Sequence, residues 1–179
     1  MAHEEVLASQ QVYAGRIVTL RLDTVRLDGG YTTRREIVEH PGSVVIVPFD
    51  EQGCVMLVRQ FRLAVERELL EIPAGTREPG EDADSCAQRE LQEEIGFRAG
   101  RLDLLGEVFP TPGYSTERFS LYVATALIPS QRDLEADERI EVVPLPVDDL
   151  LRRIDAGEIQ DGKTILGTLW ALRQLGNDV

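Results

Sequence analysis

Hydrophobic and polar residues alternate along the first forty residues of the chain. Three segments carry this pattern: 13–18, 20–27 and 32–38. A period of two predicts strands with one buried face, and the Asp-Gly pair at 28–29 is a strong signal for a hairpin turn. His-Pro-Gly at 40–42 then interrupts the pattern. We therefore expect an N-terminal region of antiparallel strands, residues 1–41, ahead of a second domain, residues 42–179.

Longer hydrophobic runs follow and alternate with stretches of helical periodicity. Continuous apolar runs predict buried strands at 43–49, 54–60 and 69–72, and further strands are predicted at 102–109, 119–127 and 141–145. Helical periodicity covers 147–156 and 163–175. A further helix is predicted between the acidic segment after Pro79 and Gly96, because acidic residues favour the start of a helix and glycine its end.

Charge narrows the classes of function. The chain has 19 Lys and Arg against 32 Asp and Glu, a net charge of −13 at pH 7. This charge repels nucleic acid, so an anionic ligand needs a metal ion or a local group of arginines. No run reaches the roughly 18 apolar residues of a membrane span. The two cysteines, Cys54 and Cys86, fit a reducing environment. We expect a cytoplasmic protein with neither nucleic-acid nor membrane partners.

Three carboxylates share one turn of the helix that ends at Gly96. At about 100° per residue, Glu90, Glu93 and Glu94 fall within one arc. A neighbouring arc carries residues that can pack on a sheet: Ala87, Leu91 and Ile95. The far side, expected to face water, carries Ser85, Gln88 and Gln92. The acidic arc therefore borders the buried face.

Like charges this close destabilise a helix, and partial burial raises the cost unless a cation offsets it. Oxygen ligands without His or Cys on the same arc favour a hard ion, Mg²⁺ with Mn²⁺ as a substitute, over zinc. Both histidines, His3 and His40, lie far away in sequence. The alternative is a solvated acidic helix face without a metal.

The full string around these carboxylates favours the metal site. Five residues separate Gly75 from Glu81, seven separate Glu81 from Arg89, and residues 89–97 read Arg-Glu-Leu-Gln-Glu-Glu-Ile-Gly-Phe. This string resembles the Nudix box at every specified position. The resemblance implies an α+β Nudix fold, a mixed β-sheet sandwiched between α-helices, and Mg²⁺-dependent hydrolysis of a pyrophosphate bond.

The resemblance also implies a role for each residue of the box. Glu90, Glu94 and the Ala74 carbonyl would bind the metal, and Glu93 would bind it or orient its water. Arg89 would hold the carboxylates in place through ion pairs. The loop would be supported by three residues: Gly75, Glu81 and Gly96.

A general base is missing from the box. Our candidate is Glu117 in the loop 110–117, with a solvated loop carboxylate as the alternative. Gly113 in the same loop is a candidate substrate contact.

Segments that flank the box resemble the ADP-ribose pyrophosphatases. They are residues 35–42, 58–62 and 70–75, together with Pro112, sixteen residues beyond Gly96. The resemblance implies hydrolysis of ADP-ribose to AMP and ribose 5-phosphate by a homodimer that exchanges its N-terminal strands. Arg62 would bind the phosphates, Arg35 the base or a phosphate, and Glu71 the substrate or a neighbouring side chain. Each of these three has a plain surface or strand-edge charge as its alternative.

Other substrates and another class of function stay open. No motif fixes the aromatic that would stack on the base; the candidates are Tyr13, Tyr31 and Phe61, while Trp170 is expected in the core. A nucleotide sugar such as GDP-mannose is the closest alternative substrate, and free nucleoside triphosphates rank third. A non-catalytic Nudix ligand sensor is opposed by the intact acidic positions of the box.

Overall fold

The structure is a computed structural model that describes residues 3–134 and 139–176. It divides into two compact units. The first comprises Met1–Gly42 and Val108–Phe119, and the second comprises Ser43–Glu107 and Ser120–Val179. The first unit thus includes Val108–Phe119 besides the N-terminal region, and the Val38 N–H donates to the Tyr114 carbonyl at 2.8 Å within it.

A three-stranded antiparallel sheet forms most of the first unit. Its strands, in the order β1-β2-β3, are β1 (Glu4–Ala14), β2 (Thr19–Leu27) and β3 (Thr32–Glu39). The predicted first strand, 13–18, is wrong in its bounds. Residues 15–18 form a turn closed by the Gly15 N–H and the Val18 carbonyl at 2.9 Å. Every residue of β1 is exposed, so no buried face imposes a readable pattern on it.

Two sheets and three α-helices form the part of the second unit that the structure describes. The strands are β4 (Ser43–Pro48), β5 (Cys54–Arg62), β6 (Arg67–Glu71), β7 (Ala74–Thr76), β8 (Phe97–Val108), β9 (Phe119–Pro129) and β10 (Ile140–Pro146). The helices are α1 (Ala83–Glu90), α2 (Val147–Asp155) and α3 (Gly162–Gly176). One sheet has the order β10-β5-β6 and the other β7-β4-β9-β8. This confirms the expected α+β class.

Strand β4 is buried along its whole length because two helices pack on it. Val44 and Ile46 share a core cluster with Leu91, next to α1. Val47 points to the other face, where Gly167 lets α3 approach so closely that a Cβ there would lie 2.7 Å from Ile72 Cδ1. No helix in the described part of the chain is long and apolar enough to cross a membrane.

Candidate active site

Two helical segments of different geometry carry the acidic turn, which we define as the turn with Glu90, Glu93 and Glu94. The Asp82 side chain caps α1 by accepting a hydrogen bond from the Ser85 N–H at 2.9 Å. Beyond α1 the chain continues as a π turn, Leu91–Ile95, and ends at Gly96, which has a positive φ of 76°. The sequence predicted one regular helix to Gly96, and its end is correct. The wider turn places Glu93 and Glu94 on a geometry that often marks functional sites.

The packed face of this helix is the predicted one, whereas two residues of the predicted polar face, Gln88 and Gln92, are half-buried. Ala87, Leu91 and Ile95 are buried. Gln88, expected to face water, is half-buried and bonds the backbone of β8. Its Nε2 donates to the Ala99 carbonyl and its Oε1 accepts from the Ala99 N–H, both at 3.0 Å. A side-chain amide that satisfies both backbone groups of one residue fixes the helix against that strand.

Arg89 is the centre of the charged cluster. Its guanidinium contacts Glu81 at 2.9 Å, Glu90 at 2.7 Å and Glu93 at 2.8 Å. These carboxylates raise the pKa of Arg89, with the hydrogen bond to Glu81 as the largest cause. The same hydrogen bond lowers the pKa of Glu81 to about 2. The Arg89 guanidinium is thus held between Glu81, in the loop before the helix, and the carboxylates of the acidic turn.

Glu90 and Glu94 are buried carboxylates, with only 7% and 4% of their surface exposed. Glu94 Oε2 accepts the Ala74 N–H at 3.1 Å, which ties the acidic turn to β7. A Cβ at Gly75 would overlap the Glu90 carboxylate. Glycine is therefore needed at this position because the loop backbone lies directly against an acidic side chain.

The donor set of the acidic turn fits a hard divalent cation. Glu90, Glu93 and Glu94 together with Glu81 carry four negative charges, and Arg89 supplies one positive charge. Carboxylate and carbonyl oxygens are the ligands that Mg²⁺ prefers. In the described ranges, no three His, Cys, Asp or Glu side chains converge as a ready metal-binding group. Two of the carboxylates instead accept hydrogen bonds from the protein: Glu93 from Arg89 Nη1, and Glu94 from the Ala74 N–H of β7.

A polar cleft of about 510 Å³ borders the cluster on the outer side of α1. Arg89 and Glu93 form the wall that it shares with the acidic turn. Its remaining walls are Asp84, Ser85, Gln88, Gln92, Arg98, Leu102 and Asp133. The cleft gives a polar ligand access to Glu93.

Arg62 and Glu71 form a second charged centre in this unit. Arg62 Nε and Nη2 each donate to one oxygen of the Glu71 carboxylate at 2.7 Å. Glu71 is 1% exposed, and Lys163 is hydrogen-bonded to the same carboxylate. The partner of Arg62 was not predicted, and Lys163 and Asp161 were missed altogether. One signal was available, since Lys163 is the only lysine in the chain.

Three candidate site residues lie in the first unit. Arg35 is paired with Glu4, with its Nη2 at 2.7 Å from the carboxylate. The Glu117 side chain is half-buried, and its N–H donates to Ser115 Oγ at 3.0 Å. Gly113 has open space where a side chain would be.

The aromatic candidates are all exposed. Tyr13 and Tyr31, in the first unit, are 59% and 67% exposed, and Phe61, in the second, is 54% exposed. Trp170 is half-buried, and its ring lies against Gly106, where a Cβ would come within 2.8 Å. The glycine therefore makes room for the indole ring in the packing of α3.

Comparison with protein families identifies two matches in the chain. A model described as the NUDIX domain matches residues 39–165. A model described as the nucleoside diphosphate sugar hydrolase N-terminal domain matches residues 4–38.

Curated relatives cover most of the chain. It is 35% identical to an ADP-ribose pyrophosphatase of Bacillus subtilis over 163 residues, 90% of this chain and 88% of that protein. It is 36% identical to an ADP-ribose pyrophosphatase of Mycobacterium tuberculosis, over 92% and 81% of the two chains. A GDP-mannose pyrophosphatase of Citrobacter koseri is 31% identical, over 93% and 94%. A crystal structure of an ADP compounds hydrolase has the same fold, with a TM-score of 0.87, 22% identity and coverage of 98% and 95%.

Proposed function

The chain belongs to the Nudix hydrolase family, and on that basis we propose that it hydrolyses ADP-ribose to AMP and ribose 5-phosphate. One observation carries the proposal. The buried carboxylates Glu90 and Glu94 lie together against the β7 backbone and supply oxygen donors for a cation, in a chain 35% identical to an ADP-ribose pyrophosphatase.

The metal in this proposal is Mg²⁺, with Mn²⁺ as a substitute. Nudix hydrolases use divalent metal ions, and the oxygen-only donor set supports a hard one. Glu90, Glu94 and the Ala74 carbonyl would hold it, with Glu93 as a further ligand or as the group that orients its water. When bound there, such an ion would neutralise phosphate charge and lower the pKa of water.

The side chains of the proposed site divide the remaining work. Arg89 holds Glu90 and Glu93 in place, and Arg62 binds the diphosphate through its guanidinium, which the bidentate pair with Glu71 holds in a fixed orientation. Glu117 accepts the proton of the attacking water as general base. Arg35 and Gly113 contact the substrate.

ADP-ribose and GDP-mannose can be separated by a direct comparison. We expect kcat/KM for ADP-ribose to exceed that for GDP-mannose by at least about tenfold, an energy difference of roughly 1.4 kcal/mol in transition-state binding. NADH, diadenosine polyphosphates and nucleoside triphosphates complete the panel. Faster turnover of GDP-mannose would overturn the substrate assignment and leave the chemistry intact. Absence of turnover of every compound would favour the ligand sensor.

A homodimer is part of the proposal and is supported by the surface of the N-terminal sheet. Exposed apolar side chains lie on β1, in the β1–β2 turn and in the β2–β3 turn: Val6, Leu7, Val12, Tyr13, Ile17 and Tyr31. Exposed apolar surface can mark an interaction site, and exchange of these strands with a second copy would cover it. Light scattering coupled to size-exclusion chromatography should give twice the chain mass of 20.0 kDa. A Val6→Lys, Val12→Lys variant should give the monomer mass, and a monomeric wild type would contradict this part.

A cytoplasmic location is also proposed, because both cysteines are unpaired. Recovery of the protein only from an extracellular or periplasmic fraction would contradict it.

A further inference from the structure

Lys163 joins Arg62, Glu71 and Asp161 in a network of four charges, of which the proposed chemistry has not used Lys163 or Asp161. Its Nζ contacts the Glu71 carboxylate and lies 3.0 Å from Asp161 Oδ1. Its side chain is only 19% exposed, and those of Glu71 and Asp161 are 1% and 15% exposed. The chain contains eighteen arginines and this single lysine, since Lys and Arg total 19.

Sharing one carboxylate between two cations changes what Arg62 can offer to a ligand. In an isolated Arg62–Glu71 pair the two opposite charges would cancel. Each oxygen of the carboxylate accepts a hydrogen bond from one nitrogen of the guanidinium. Lys163 contacts the same carboxylate, so Glu71 does not neutralise Arg62 alone. The pair uses Nε and Nη2 of Arg62 and not Nη1, and 39% of the Arg62 side chain is exposed. Arg62 thus presents Nη1 to a ligand while Glu71 fixes its Nε and Nη2.

Helix α3 also links this network to the proposed metal site. Asp161 Oδ2 accepts the Thr164 N–H at 3.0 Å, which caps the helix next to Lys163. Thr164 Oγ1 accepts the Ile72 N–H at 2.8 Å, two residues before Ala74. The first turn of α3 therefore contacts two consecutive residues, Glu71 and Ile72. They lie just before Ala74, whose N–H donates to Glu94.

From this arrangement we propose that Lys163 is a positioning residue for the substrate diphosphate. It acts through Glu71 on Arg62, and this role rests on the proposed function of Arg62. Lys163 holds Glu71 in the orientation that fixes the Arg62 fork and balances the negative charge of Glu71 and Asp161. Removal of its charge changes the net charge of the four groups from zero to −1, which disfavours an anionic diphosphate.

The test compares four proteins with the best substrate of the panel. We expect Lys163→Met to raise KM about tenfold and to change kcat less than about threefold, because the lost interaction is equal in the ground and transition states. Lys163→Arg keeps the charge and should restore most of the affinity. Arg173→Met, which removes a positive charge from the exposed last turn of the same helix, should leave KM unchanged. A methylene-bridged, non-hydrolysable analogue of the substrate should show the same order of affinities by calorimetry.

Asp161→Asn is a fourth variant, and it changes the net charge of the network in the opposite direction. Asparagine keeps the cap of α3, so we expect KM to stay equal or to fall, even if Lys163→Met does not fold. An unchanged KM and analogue affinity in folded Lys163→Met, or a raised KM in Asp161→Asn, would overturn the role of Lys163. Absence of turnover by the wild type would instead overturn the proposed function, and analogue binding would still report on Lys163.

Discussion

Replacement of Glu94 by glutamine is expected to lower kcat for ADP-ribose by about 10³-fold while the protein stays folded. The amide can still accept the Ala74 N–H bond that Glu94 makes at 3.1 Å. It cannot supply the negative charge that a divalent cation requires of a ligand. Metal-ion catalysis contributes several kcal/mol of transition-state stabilisation, and each 1.36 kcal/mol is a factor of ten in rate.

Two further variants make this result specific. Glu158→Gln, on an exposed loop residue, should retain wild-type kinetics. Glu117→Gln should lower kcat by at least about tenfold if Glu117 is the general base. Initial rates at saturating substrate with Mg²⁺ give kcat for each protein. Equal kcat for wild type and Glu94→Gln would contradict the catalytic role of the acidic turn.

Replacement of Arg89 by methionine is expected to lower the free energy of unfolding at pH 7 by about 3 kcal/mol. Removal of one partner of a buried ion pair leaves its charges uncompensated and costs several kcal/mol. Here the side chains of Glu81, Glu90 and Glu93 would be left at 14%, 9% and 26% exposure without their shared cation. Urea denaturation in the presence of EDTA measures the difference. Arg101→Met, whose side chain is 71% exposed, should change it by less than about 1 kcal/mol.

The difference in unfolding free energy between the wild type and Arg89→Met should become smaller in acid. The folded pKa of Glu81 is about 2, below its ordinary value of 4.5, so its pairing stabilises the fold fully above pH 4.5. That contribution is lost as the pH falls from 4.5 towards 2. The wild type and Arg89→Met should therefore differ most near neutral pH. A difference that stays constant down to pH 3 would contradict the Arg89–Glu81 pairing.

The acidic turn could be predicted because its signals are local. Glu90, Glu93 and Glu94 follow from residue spacing on one helix, and the burial of Leu91 and Ile95 follows from the same periodicity. The π turn could not be predicted, since the same apolar spacing fits a regular helix. Gln88 was assigned to water because its bond to β8 joins elements that are separate in sequence.

Long-range partners explain the remaining differences. Lys163 lies 92 residues from Glu71, and Glu4 lies 31 residues from Arg35. No local spacing encodes such pairs. Strand β1 has no buried face in this chain and therefore no alternation that marks its bounds. Arg62, by contrast, could be named as a candidate because it lies in the segment 58–62, which resembles the ADP-ribose pyrophosphatases.

Metal-dependent cleavage of the pyrophosphate bond of ADP-ribose is tested most directly by quantification of its products. The purified wild type is incubated with ADP-ribose and Mg²⁺, and AMP and ribose 5-phosphate are measured by ion-exchange chromatography. We expect equal amounts of the two products with Mg²⁺ and none above background with excess EDTA. Unchanged ADP-ribose in the presence of Mg²⁺, or equal product with EDTA, would contradict the claim.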